Sequence, residues 1–204
     1  LARVVADLAD VAAPAAIAAA VKARFGRIDG LVNAAGLTTR GSFVTGTPAI
    51  WDQLFAVNGR AAFFLMQAAI ADMRARSAAG SIVNILSMNA HCGIPELVIY
   101  AGTKGAMTTL TRNAAHAHMA DRIRVNGIAI GSVMSASLQA ALKENPDWRS
   151  DIAERTPLGR IAAPAELVET ALFLASEGSS FITGQVLTVD GGRGLLDAIA
   201  APGY

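Results

Sequence analysis

The sequence predicts an α/β fold on a largely parallel sheet. Three observations carry the prediction. Short apolar runs alternate with longer helical segments along the chain. Two of the runs end in turns of small residues, Ala34-Ala35-Gly36 and Asp190-Gly191-Gly192. The size is also right: 204 residues, 53% hydrophobic and 16% charged, suit one domain with one sizeable core and exclude a disordered segment.

The elements follow in order. Val4 to Leu8 reads as a buried strand. Pro14 to Phe25 reads as an Ala-rich helix, with Pro14 near its start and Gly26 just past its end, where each is favoured. Ile28 to Asn33 is the next strand, and a Gly/Thr-rich loop runs on to Thr47. Thr47 then caps a long helix with Pro48 at its first position, running to about Arg76. Within it, Val57-Asn58-Gly59 places two poor helix formers together, which weakens the helix locally and can free a backbone carbonyl for water. Ser77 to Gly80 turns into the strand Ile82 to Leu86. A loop from Ser87 to Leu97 precedes a helix through Met119, and Arg122 to Ile130 is a strand. Residues 131–160 are polar, irregular and partly helical. Pro164 opens a helix through Ala175, and Val186 to Val189 is the last strand. No repeat or linker divides the chain, so residues 1–204 form a single domain.

A net charge of +1 gives no reason to expect a nucleic-acid or membrane partner. The apolar run Ala61 to Ala71 is too short, and too interrupted by Gln67 and Asp72, to span a bilayer. Cys92 is the single cysteine and can form no internal disulfide, which suits a reducing cytoplasm. Arg3, Asp7 and Asp10 break any apolar signal at the N-terminus. His116 and His118 are two apart and point to different helix faces, so no metal site is expected.

The strongest chemical signal is Tyr100-Ala101-Gly102-Thr103-Lys104. Residues four apart share a helix face, so the phenol and the ammonium can converge. A tyrosine of ordinary pKa, about 10, is a poor base near neutrality, and a nearby cation favours its phenolate. The spacing is therefore a workable acid/base device, although alone it equally fits a tyrosine packed beside a solvated lysine. Ser87 ends a strand thirteen residues earlier, at the edge where open α/β sheets bind ligands. Its hydroxyl could bond the same substrate oxygen, or merely cap a turn.

Together these segments resemble the short-chain dehydrogenase/reductase family over nearly the whole chain. Leu31-Val32-Asn33-Ala34-Ala35-Gly36 is similar to the family's N-N-A-G segment, with Ala34 in place of one Asn. Asn58, Ser87, Tyr100 and Lys104 fall in the order and approximate spacing of the catalytic tetrad. Gly131-Ser132-Val133-Met134-Ser135 resembles the P-G-x-V-x-T stretch, with Ile130 where Pro is usual, and Leu86 stands where a second Ser is common. Pro157 to Arg160, Ile182 to Gln185 and Val189 to Gly192 resemble the C-terminal signature.

The resemblance implies a Rossmann-like, doubly wound parallel sheet and an oxidoreductase for alcohols and ketones that uses NAD or NADP. It implies Tyr100 as the proton-exchanging residue, Lys104 lowering its pKa and binding the ribose, Ser87 polarising the carbonyl, and Asn58 holding a relay water. Cofactor contacts would come from Asp7, Leu8, Asn33, Ala34, Ala35, Gly36, Tyr100, Lys104, Gly131, Val133 and Ser135. The substrate pocket would hold Ser87, Asn89, His91, Gly93, Met134 and Leu138, with residues 131–160 as a lid. Phe63, Phe64 and Met66 fit core or subunit contact, and a homotetramer (or dimer) would pack on the two long helices. A catalytically silent binding or assembly subunit is the alternative. No strand, glycine-rich turn and helix for a pyrophosphate can be found in the sequence, so the resemblance implies roughly 45–60 residues upstream of Leu1 carrying two central strands.

Overall fold

The computed structural model of the chain describes residues 2–195. Four strands, β1 (Gly30–Asn33), β2 (Gly80–Ser87), β3 (Ile123–Ile130) and β4 (Val186–Val189), pair in parallel in the order β1-β2-β3-β4. The seven α-helices of this region are α1 (Ala13–Phe25), α2 (Pro48–Phe55), α3 (Ala62–Ala75), α4 (Val98–His118), α5 (Ala136–Glu144), α6 (Trp148–Glu154) and α7 (Ala165–Ala175). This is the expected Rossmann-like α/β architecture, with helices on both faces of the sheet.

The alternation of side chains along the strands sorts the core. Ile82 and Leu86 of β2 and Val125 of β3 join Met66, Met73 and Met107 of α3 and α4. On the opposite face Val83 and Ile128 meet Leu174 of α7. The register aligns Ser87 with Ile130, and Ile130 with Val189, so the C-terminal ends of three strands open at one edge.

Two expectations are corrected. Val4 to Leu8 forms no strand, and Val5 is 83% exposed. A strand needs a ladder partner, and this run pairs with none among the described residues. Leu8 and Ala9 instead form a turn, closed by the Asp7 carboxylate accepting from Ala9 N–H at 2.8 Å. The second correction concerns the long helix. The continuous run Pro48–Ala75 has a mean hydropathy of 1.4 over an 18-residue window, apolar and long enough by composition alone to cross a bilayer. Its buried side packs on the sheet through Met66, Ala69 and Met73, as a core helix does.

The weak point read at Asn58-Gly59 is real. Between α2 and α3 the backbone widens into a π-helical segment, Ala56–Ala61. Farther along, the buried Asp72 ties three elements together. It accepts from Ile28 N–H at 2.9 Å and pairs with Lys22 of α1 at 2.9 Å and with Arg76 at 3.0 Å. The Ile28 amide and the two cations hold its carboxyl down at about 2.

Candidate active site

Strand β2 delivers Ser87 to the open edge of the sheet, where it is buried. Its Oγ accepts from Asn89 N–H at 3.2 Å, which starts the short 3-10 turn Met88–Ala90. Helix α4 begins at Val98, so Tyr100 and Lys104 lie in its first two turns, both buried. Lys104 Nζ donates to Ile85 O at 2.9 Å and sits 5.8 Å from the centre of the Tyr100 ring.

Burial raises the pKa of the Tyr100 phenol, and the hydroxyls of Ser87 and Thr38 partly oppose the rise. Lys104 stands beside the ring without a hydrogen bond to the phenol. Its ammonium is directed at a backbone carbonyl, and burial pushes its own pKa down to about 8.

Asn58 stands on the π-helical segment and grips the loop that follows β1. Its side chain donates to Leu37 O at 2.9 Å and accepts from Leu37 N–H at 2.8 Å. The same amide donates to Thr103 Oγ at 3.2 Å, and Thr103 in turn donates to Tyr100 O at 2.7 Å. Gly36 lies between the two polar groups. A Cβ there would stand 3.3 Å from Asn58 Oδ1 and 3.6 Å from Lys104 Nζ.

The edge of the sheet opens into a cleft of about 810 Å³. Of the residues expected there, Ala34, Ser87, Asn89, Tyr100, Gly131, Val133, Ser135 and Leu138 line it. Asn33 is used otherwise: its amide donates to Asn84 Oδ1 at 2.8 Å and joins β1 to β2. Asp7 and Leu8 belong to the N-terminal turn, and Ala35 is exposed beside Gly36 without forming the cleft wall. His91 and Gly93 are corrections. Both are exposed and outside the cleft, because the turn at Met88 carries them outward and the chain returns with Ile94 and Leu97. Met134 is also off the wall, with its backbone N–H held by Ala162 O at 2.9 Å. Thr38, Arg40, Met88, Ile94, Asp151 and Arg193 line the cleft without having been singled out for it. Thr38 and Arg40 carried a usable signal, since they follow the C-terminal end of a strand, where ligands bind in such sheets.

A nicotinamide nucleotide fits these groups at its ribose end. The Lys104 ammonium has three donors and makes one protein hydrogen bond, to Ile85 O. Gly36 beside it keeps the approach clear of a side chain. Gly131, at the end of β3, admits no Cβ, which would lie 2.8 Å from Asp190 Cα.

A parallel sheet with a serine, a tyrosine and a lysine gathered at its C-terminal edge defines an α/β oxidoreductase of the dinucleotide-dependent kind. The chain belongs to the short-chain dehydrogenase/reductase family of NAD- or NADP-dependent oxidoreductases, which includes dehydrogenases and reductases acting on CH–OH groups. A family model described as enoyl-(acyl carrier protein) reductase matches residues 2–193. Gluconate 5-dehydrogenase of Gluconobacter oxydans is 38% identical over 176 residues, 85% of this chain and 67% of that protein. A protein of Xanthobacter autotrophicus named inactive 2-(S)-hydroxypropyl-CoM dehydrogenase 2 is 36% identical over 190 residues, 92% of this chain and 82% of its own length. The crystal structure of a gluconate 5-dehydrogenase from Burkholderia cenocepacia, in complex with NADP and tartrate, superposes with a TM-score of 0.87 at 35% identity. The match covers 94% of this chain and 74% of that one.

Proposed function

We propose that the protein interconverts a secondary alcohol and a ketone, with Tyr100 exchanging the proton at the substrate oxygen. The observation that carries this reading is the buried Tyr100 in the wall of a cleft that Ser87 and Thr38 also line. Bound NAD or NADP supplies or accepts the hydride. The chain's own groups do the rest. Ser87 Oγ accepts from the Asn89 amide, which leaves its proton free to bond the substrate oxygen. A phenol raised by burial stays protonated at neutral pH, so Tyr100 donates as the oxygen gains charge in ketone reduction. In the oxidative direction the same group must first lose its proton, and that direction is favoured by alkali.

Lys104 contributes the buried donors beside Gly36 that bind the ribose. Asn58 holds the loop wall in place and, at the π-helical segment, a site for a relay water. Residues 131–160, which carry α5 and α6, close over the substrate as a lid. The half-exposed Phe63 and Phe64, together with the apolar groove that Phe63 and Leu110 form between α3 and α4, support assembly on the two long helices as a homotetramer. Gluconate, a polyhydroxy carboxylate, is the type of substrate that the relatives' names put forward for the cleft.

A second reading, a catalytically silent subunit, has support from the relative named inactive. Oxidation of NADH and NADPH with a panel of ketones, 5-keto-D-gluconate among them, separates the two. Turnover is expected. A folded protein that binds dinucleotide and turns over nothing would favour the silent subunit.

A further inference from the structure

The cleft that Tyr100 lines also presents a cation that the proton-transfer chemistry does not use. Arg40 and Trp148 both line it, with the Arg40 guanidinium carbon 4.3 Å from the centre of the Trp148 ring. Trp148 begins α6, and Arg40 lies on the loop after β1. The contact therefore joins the loop after β1 to α6. A cation held over a ring face keeps its N–H donors for another partner, and those of a guanidinium match a carboxylate in bidentate fashion. Among the described residues Arg40 makes no ion pair and no side-chain hydrogen bond. The other cation of the cleft, Arg193, already donates to Ser132 Oγ at 2.6 Å.

The loop that carries Arg40 is fixed on both sides. Leu37 is gripped by Asn58, and Gly41 N–H donates to Glu96 O at 2.9 Å beside its bridge to Leu97. Thr38, two residues before Arg40, lines the same cleft as Tyr100. The loop is thus held at Gly41 against the segment that leads into α4 and Tyr100, which fixes where the guanidinium is presented. An arginine that is unpaired, stacked on an aromatic ring and mounted on a fixed loop is pre-organised for an anion.

We propose that Arg40, seated on Trp148, is the specificity-determining residue of the cleft, binding the carboxylate of a hydroxy or keto acid whose reacting carbon lies at Tyr100. The proposal rests on the reading of the cleft as the alcohol/ketone site. Its test is an equilibrium measurement, so the failure of either can be told apart.

D-gluconate and D-sorbitol share one carbon skeleton and differ in a carboxylate against an uncharged CH2OH. Titration calorimetry of both into the protein, supplied in turn with NAD+ and NADP+, measures the preference. The parent should bind gluconate more tightly, with affinity falling as salt rises. Arg40→Met keeps the stem and removes the charge. It should weaken gluconate roughly 10- to 100-fold and leave sorbitol unchanged, the range for losing hydrogen bonds to a charged group. Arg40→Lys should recover only part of the loss. Trp148→Leu should lower the preference, and Trp148→Phe should restore it by returning a ring face. A parent that does not prefer gluconate over sorbitol, or an Arg40→Met protein that keeps the parental preference, would overturn the proposal. So would an Arg40→Met protein in which dinucleotide affinity falls and gluconate affinity does not, since the anion at Arg40 would then be the nucleotide phosphate. An Arg40-dependent preference in a protein that turns over no ketone would uphold the anion site and sink the oxidoreductase reading instead.

Discussion

The side chain of Asn58 closes a two-way clasp on the backbone of Leu37, accepting from its N–H at 2.8 Å and donating to its carbonyl at 2.9 Å. One amide on the π-helical segment thereby sets the course of the loop that supplies Gly36, Thr38 and Arg40 to the site. Asn58→Ala leaves both Leu37 groups and Thr103 Oγ short of a partner in a buried place. A stability loss of about 1–3 kcal/mol is expected in urea unfolding. Activity should fall further than that loss explains, because the loop shifts in the folded protein. An Asn58→Ala protein with parental midpoint and turnover would remove the clasp from the account.

Asp72 predicts how the fold responds to acid. Its folded pKa, about 2, lies below the ordinary value of 3.8, so the unfolded chain takes up the proton first as pH falls. The stabilisation is complete above about pH 4 and is lost between there and about pH 2, and it amounts to about 2 kcal/mol. Asp72→Asn should be less stable than the parent at pH 7, and the difference should shrink through that acid window. Parallel stability curves for the two proteins down to pH 2 would contradict the assignment.

Much of this was legible in the sequence, and the exceptions have physical causes. β4 runs from Val186 to Val189 as read, and the weak point at Asn58-Gly59 is a π-helical segment, because propensity and turn residues act locally. Val4 to Leu8 has strand composition and no strand, since pairing depends on a neighbour that composition does not reveal. The spacing of Tyr100 and Lys104 placed both on one side of α4. It could not show that Lys104 would be bonded to Ile85 O, or that burial would raise the pKa of the phenol. His91 and Gly93 were close in sequence to Ser87, but the direction of a loop is set by its hydrogen bonds, here those to Met88 O. Arg40 and Trp148 are more than a hundred residues apart, and only the fold brings them together.

Lys104 separates stability from activity. Its folded pKa, about 8, is below the usual 10.5, so the unfolded chain binds the extra proton between those values. Burying the charge costs stability below pH 8, and that cost fades as pH rises toward 10.5. Lys104→Met keeps the stem and escapes the cost. It should match or exceed the parent in stability at pH 7, with the gap narrowing toward pH 10.5. Its turnover should fall at least about 10-fold and its dinucleotide affinity should weaken. A Met variant with parental dinucleotide affinity would show that the buried amine binds no part of the nucleotide.

The most direct measurement is steady-state ketone reduction by Tyr100→Phe, followed through NADH or NADPH consumption alongside dinucleotide binding and the urea midpoint. The change removes one hydroxyl and keeps the ring in its buried place. The rate should be lower by about 100-fold or more, with dinucleotide affinity and midpoint close to the parent. Near-parental turnover in that protein would contradict the assignment of Tyr100 as the proton-exchanging group.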